Sequence, residues 1–294
     1  MKGFFKNKEN YGYLFILPFF ITFLIFSLFP ILYTFFLSFN YYDGLSDMEF
    51  AGLAHYKRLI TDPFFWTSLY NTCKIWFWNI IPQIGVALFL AGLFTLNKVK
   101  GEGFFKAVFY FPNLVTAASI ALLFNVLLDW QHGPINQILI ALHFIKDPIN
   151  FLNIPSYAQN TVSLIQWWMW FGQTTIILLA GMSAIPETYY EAARVDGATK
   201  MQIFFKITLP LLKPTMLYVS VTSLIGGMQL FDVPAVLTDG IGAPQNSLMT
   251  MIIFLYNQAF RYENFGYASA VAYGIFAIIS VLSFIIFKYM KNDK

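Results

Sequence analysis

The chain has 294 residues, of which 58% are apolar, 20% aromatic and only 11% charged, with a mean hydropathy of +0.61. An average soluble domain carries about 25% charged residues, so the composition excludes a water-soluble fold and makes the membrane span the unit to count. The net charge of +3 is too small and dispersed for nucleic acid, and one cysteine, Cys73, excludes an internal disulfide and leaves no Cys/His cluster for zinc.

A transmembrane helix needs about 20 predominantly apolar residues. The first uncharged run, Tyr13–Phe39, follows a basic start at Lys2, Lys6 and Lys8. It exceeds the apolar region of a signal peptide and has no small-residue cleavage site, so a signal anchor retained as the first span is expected. Ile75–Leu96, Ala107–Leu128 and Thr161–Ile185 follow as spans two to four. The fifth run, Thr215–Phe231, is short and ends at Asp232; snorkelling of Lys213 extends it to residues 213–232. The last run, Tyr267–Phe287, gives a span over residues 267–288. Gly240–Phe260 is also uncharged but is interrupted by Gly242, Pro244, Gln245 and Asn246. Its solid core, Leu248–Tyr256, is too short to span, so an interfacial or re-entrant helix is expected there and at Ile135–Ile145.

Basic residues test this count independently. With the N-terminus inside, the cytoplasmic segments hold Lys2, Lys6, Lys8, Lys98, Lys100, Lys106, Arg194, Lys200, Lys206, Lys213, Lys288, Lys291 and Lys294. The outer segments hold only Lys57, Arg58, Lys74, Lys146 and Arg261, against nine acids. The positive-inside bias therefore favours six spans with both termini cytoplasmic; a seventh would put the C-terminal lysines outside. The expected architecture is an all-α membrane protein, residues 1–294 forming one transmembrane domain.

Polar residues within the spans are few: Asn79, Gln83, Asn113, Asn125, Gln166, Gln173 and Gln229. Interhelical hydrogen bonding is the ordinary use of such groups. Span four stands apart, because Gln166, Trp170 and Gln173 share one helical face. An indole flanked by amides suits a sugar, whose C–H face stacks on the ring while its hydroxyls need donors and acceptors. Gln229 and Asp232, at the end of span five, join them as candidates for a substrate pathway. No catalytic set, metal-ligand spacing or cofactor motif is present, and no G-x-x-x-x-G-K-[ST] loop binds ATP. The six uncharged runs contain no Asp, Glu, Lys, Arg or His, and Asp232 at the end of the fifth is the nearest ionisable candidate, which weighs against the alternative of an ion-coupled secondary transporter.

One cytoplasmic segment, residues 186–214, carries deliberate helix punctuation. Pro186 and Glu187 suit a first turn; Tyr190, Ala193 and Gly197 share a face, and Gly197 supplies a stop. Thr199 with Gln202 makes a capping box for a second helix that ends before Pro210. Ala192 and Ala193 would let another surface approach closely.

Glu191-Ala192-Ala193, Gly197 and Ile207-x-Leu209-Pro210 resemble the EAA signature of permease subunits of bacterial ABC importers. The fuller pattern, through Asp196-Gly197-Ala198, is similar to the carbohydrate-uptake branch. So are Phe50-x-Gly52, Asn71-Thr72, Trp170-x-Gly172, Phe231-Asp232 and Phe265-Gly266-Tyr267. One departure is the outer loop Gly240-Ile-Gly-Ala-Pro244, a residue or two longer than the family's Thr-x-Gly-Gly-Pro. The resemblance implies a type I importer permease fold in the bacterial cytoplasmic membrane, with no cofactor. It implies pairing with a second permease, two ATPase subunits beneath and an extracytoplasmic solute-binding protein delivering a sugar. Gly12-Tyr13-Leu14-Phe15-Ile16-Leu17-Pro18 looks like the first permease of such a pair. By the same resemblance, Glu191, Ala192, Ala193, Asp196 and Gly197 form the helix that couples to the ATPase.

Overall fold

The computed structural model describes residues 10–97 and 100–291. Lys2, Lys6, Lys8, Lys98 and Lys294 of the charge pattern lie outside the described residues. The helices are α1 (Asn10–Phe23), α2 (Phe29–Leu37), α3 (Ala54–Thr61), α4 (Pro63–Asn97), α5 (Glu102–Leu114), α6 (Ala117–Leu127), α7 (Pro134–Ala141) and α8 (Pro155–Ser183). They continue as α9 (Glu187–Val195), α10 (Lys200–Ile203), α11 (Leu209–Leu211), α12 (Lys213–Met228), α13 (Asp232–Leu237), α14 (Met251–Tyr256) and α15 (Phe265–Lys291). Four stretches are long and apolar enough to cross a membrane: Phe15–Leu37, Pro63–Asn97, Lys213–Leu237 and Phe265–Met290. Two bent pairs, α5 with α6 and α8 with α9, raise the number of crossings to as many as six.

The chain contacts separate two compact units, Met1–Asp62 with Leu255–Gly274 and Pro63–Phe254 with Ile275–Lys294. In the first unit, α1 passes through a widened π-helical turn, Leu24–Leu28, into α2. Pro30 lies two residues beyond that turn. It donates no N–H, and its ring crowds the carbonyl four residues back, so the preceding turn widens. Phe15 and Phe26 stay 86% and 76% exposed, an apolar surface suited to lipid and not to water. The start of α15 packs on α2, where the Tyr273 hydroxyl donates to the Ile31 carbonyl at 2.7 Å.

The same unit carries a two-stranded hairpin, β1 (Asn40–Tyr41) against β2 (Glu49–Phe50). Asp43 caps its turn by accepting from the Leu45 and Ser46 backbone N–H groups, which with the Ser46 hydroxyl hold its pKa down to about 2. Beneath it, His55 is buried and shares a hydrogen bond with the Asn40 carbonyl at 3.0 Å. A carbonyl only accepts, so Nε2 carries the proton. Tyr41 and Tyr267 flank the imidazole, and Arg58 lies on the next helical turn, 3.9 Å from the Tyr267 ring centroid. Burial pushes the His55 pKa below its ordinary 6.5, with a lesser push from Arg58, against the hydrogen bond to Asn40. The unfolded chain therefore takes up the proton first as pH falls. Stability is whole above about pH 6.5 and declines as pH drops towards the folded-state pKa. The melting temperature should thus fall between pH 7.5 and 5.5, and His55→Gln should flatten that slope. An unchanged slope in the variant would remove His55 as its source.

In the second unit, α4 extends 35 residues, about 52 Å. It begins twelve residues before the expected span, because hydropathy detects the apolar run and not the polar turns that precede it. The run 107–128, expected as one helix, is two helices meeting at 90°. Thr116 has an extended backbone, and its hydroxyl caps α6 by accepting from the Ser119 N–H. Pro112 lies in the last turn of α5. At thirteen residues, α5 is about 20 Å long, short of the roughly 30 Å hydrocarbon core. Helix α8 runs through span four and bends by 72° into α9 at Pro186, which takes the capping position with extended backbone, one residue before the expected first turn.

Candidate functional site: a polar cavity and a capped hairpin

A cavity of about 240 Å³ lies in the second unit between α4, α8, α12 and the break that follows α12. Helix α8 contributes Gln166, Trp170 and Gln173, the break contributes Gln229, and the start of α13 contributes Asp232, so all five expected pathway residues line one cavity. Helix α4 adds Trp76, Asn79 and Gln83 at near-heptad spacing. Asn113 and Asn125 of the polar set are not in its lining. The break, Gln229–Phe231, follows Gly226-Gly227, where Gly227 lets the Trp76 ring pack closely on α12, and is fastened by the Thr250 hydroxyl, which donates to the Leu230 carbonyl at 2.7 Å.

Hydrogen bonds within the lining use up donors. The Trp170 indole N–H donates to Gln166 Oε1 at 3.0 Å, which leaves the ring, 40% exposed, as a flat platform. The Gln83 amide N–H donates to the Thr174 hydroxyl at 2.7 Å, and the Trp76 indole to the Ser223 hydroxyl at 3.3 Å. The carbonyl oxygens of Asn79, Gln83 and Gln173 are buried with no hydrogen-bond partner among the described residues. A buried acceptor left unmatched costs about 1–3 kcal/mol, and these three oxygens have almost no accessible surface, so they sit within the cavity wall and do not face its interior.

A second polar network, not anticipated from sequence, braces the outer end of this bundle. Asn71 Nδ2 donates to the carbonyls of Asn246 and Met249, at 2.7 and 3.1 Å, while its Oδ1 accepts from Gln159 Nε2 at 2.9 Å. The Thr72 hydroxyl accepts from the Met251 N–H at 3.0 Å. Asn71-Thr72 thus fastens α4 and α8 to the segment that leads into α14. The longer outer loop takes its shape from Gly242, whose φ of +73° suits glycine and whose Cβ position would lie 2.8 Å from the Met249 backbone. Helix α14, only six residues long, buries Met251, Ile253 and Phe254.

The hairpin after α8 matches its expected punctuation. Gly197 adopts φ +75°. The Ala198 N–H bonds to the Ala193 carbonyl and the Gly197 N–H to that of Arg194, which together make a Schellman stop. Both halves of the Thr199–Gln202 capping box form. The second helix widens over Phe204–Thr208, two residues before Pro210, as it does before Pro30.

Tyr190, Ala193 and Ile203 form a small core against Leu96, Ile185 and Ile207. This corrects one expectation: Ala193 is buried at 7%, and its small side chain serves packing inside the hairpin. Glu191, Ala192, Asp196 and Gly197 remain exposed, together with Val195 at 88%. Arg194 pairs with Glu187 at 3.1 Å, leaving Glu191 outside that pair. The hairpin is tied to α4 by Lys200 Nζ donating to Asn97 Oδ1 at 2.6 Å and by Phe204 pressed on Gly92. No group of three or more His, Cys, Asp or Glu that could hold a metal occurs among the described residues.

Apolar spans around a polar cavity, with a capped hairpin at their end, define a membrane permease. The chain belongs to the family of binding-protein-dependent transport system inner membrane components, which it matches over residues 83–292. It is 34% identical over 284 residues to the lactose transport system permease protein LacF of Rhizobium radiobacter, covering 96% of this chain and 95% of the relative. It is also 34% identical to the arabinooligosaccharides transport system permease protein AraP of Bacillus subtilis, covering 99% and 91%. Among solved structures, a chain of a bacterial alginate ABC transporter, in complex with its alginate pentasaccharide-bound periplasmic protein, aligns with a TM-score of 0.77. The identity there is 22%, over 93% of this chain and 91% of that one, and establishes the common fold. The chain is therefore a multi-pass permease subunit of an ABC importer, not itself an enzyme, working with a solute-binding protein and a separate ATPase. The relatives give the ion-coupled alternative no support.

Proposed function

We propose that the chain, acting as one permease domain, imports a sugar or oligosaccharide across the bacterial cytoplasmic membrane by alternating access. It pairs with a second permease above two ATPase subunits, with both termini cytoplasmic and lipid around its apolar spans. Glu191, Ala192, Asp196 and Gly197 form the contact with the ATPase, and Ala193 holds that contact in shape from inside. The substrate pathway runs past Gln166, Trp170, Gln173, Gln229 and Asp232. The relatives' lactose and arabinooligosaccharide transport supports the substrate class. The observation that carries the reading is the cavity itself, where an indole platform sits among amide side chains.

Its test is substitution within the lining. Trp170→Ala and Gln173→Ala should lower sugar uptake by the reconstituted importer about tenfold, the equivalent of one lost contact of about 1.4 kcal/mol. Complex assembly and basal ATP hydrolysis should survive. Unimpaired uptake in both variants would show that the sugar passes elsewhere; loss of assembly would show that these residues only pack.

A further inference from the structure

We propose that this half of the pathway selects uncharged, hydroxyl-rich saccharides and rejects acidic ones, with Asp232 setting the charge preference. The inference rests on the reading of the cavity as the sugar pathway. The lining holds one carboxylate, Asp232, and no lysine, arginine or histidine. Within it the Trp170 indole donates to Gln166 Oε1 and the Gln83 amide to the Thr174 hydroxyl, and the remaining polar lining of Asn79, Gln173 and Gln229 is uncharged. The site therefore carries one negative charge that no cation in its lining offsets.

A neutral saccharide hydroxyl both donates and accepts, and so matches a wall of uncharged amides and hydroxyls. An ionised uronate carries an acceptor-only group. Here it would lose water and face a like charge, with no cation in the lining to pair with it. Rejection built from unmatched groups is a common route to specificity. The fold does not impose this preference, since a second structure of the same fold, with a TM-score of 0.74, belongs to a transporter that imports the acidic polysaccharide alginate. The side chains around this cavity do.

The test uses the assembled importer, with its partner permease and ATPases, in nanodiscs. A mixture of neutral gluco-, galacto- and arabino-trisaccharides and their uronate counterparts is the probe, and native mass spectrometry reads what is retained. Neutral sugars should exceed acidic ones at least tenfold. Asp232→Asn should lower that ratio, and Asp232→Lys should lower it tenfold or more. Equal retention of acidic sugars by the unaltered complex, or a ratio unmoved in both variants, overturns the charge preference. The cavity reading survives that result if Gln173→Ala still weakens retention. Retention of no saccharide of either class removes the cavity reading and this inference with it.

Discussion

Gly172→Val should strongly destabilise the folded permease while leaving its synthesis intact. A Cβ at this position would lie 1.9 Å from the Phe109 carbonyl oxygen and 2.3 Å from its carbon. Both atoms are backbone, so no side-chain rotation relieves the clash, and α5 as a whole must retreat from α8 by more than an ångström. Small residues permit such approach between membrane helices, whose association relies on packing because lipid is as apolar as the helix surface. Separation would also loosen Phe109 from Phe171 and Phe94, whose rings stand 5.7 and 6.5 Å away, and from the core around Leu178 and Leu179. Overpacking costs about 1–3 kcal/mol and occasionally more, and a backbone wall puts this site at the high end. Heat stability and monodispersity of the detergent-extracted complex are the readouts. A variant matching the unaltered protein in both would refute the close approach.

What the sequence made legible follows from which forces act locally. The spans were readable because the bilayer demands long uncharged runs, and four of the six expected runs fall on single long apolar helices. The hairpin was readable because its stop and start are written in neighbouring residues, at Gly197 and at Thr199 with Gln202. The 90° bend at Thr116 was hidden inside an uninterrupted apolar run, although Thr116 and Ser119 stand where a cap requires them. Gln166, Trp170 and Gln173 could be grouped because one helix carries all three. Their association with Trp76, Asn79 and Gln83 depends on which helices are neighbours, and periodicity within a single helix does not report that. The inward turn of Ala193 was missed for a related reason: its partner, Ile203, lies beyond the bend.

Gly197→Pro should reduce sugar uptake at least tenfold with the permease still inserted. Proline holds φ near −65°, whereas Gly197 sits at +75° and its N–H bonds the Arg194 carbonyl. Both the turn and that bond would be lost, and α9 would no longer meet Ala198 and the capping box at the present angle. Gly197→Ala separates geometry from crowding. No atom lies within 4 Å of its Cβ position, so it bears only the left-handed backbone cost of about 1–2 kcal/mol and should be the milder variant. Glu191→Lys attacks the same contact by charge, reversing an exposed carboxylate that is free to meet a basic groove. The consequence reaches the cavity because the hairpin core includes Leu96 at the end of α4 and Ile185 just beyond α8, and those two helices carry most of the polar lining. If the ATPase meets α9 as proposed, a displacement there would reach α4 and α8 through packed side chains and the Lys200–Asn97 bond. ATPase co-purification and binding-protein-stimulated ATP hydrolysis in reconstituted vesicles are the measurements. Both should fall for Gly197→Pro and Glu191→Lys, and normal values with normal uptake would show that the energy of ATP enters this permease by another surface.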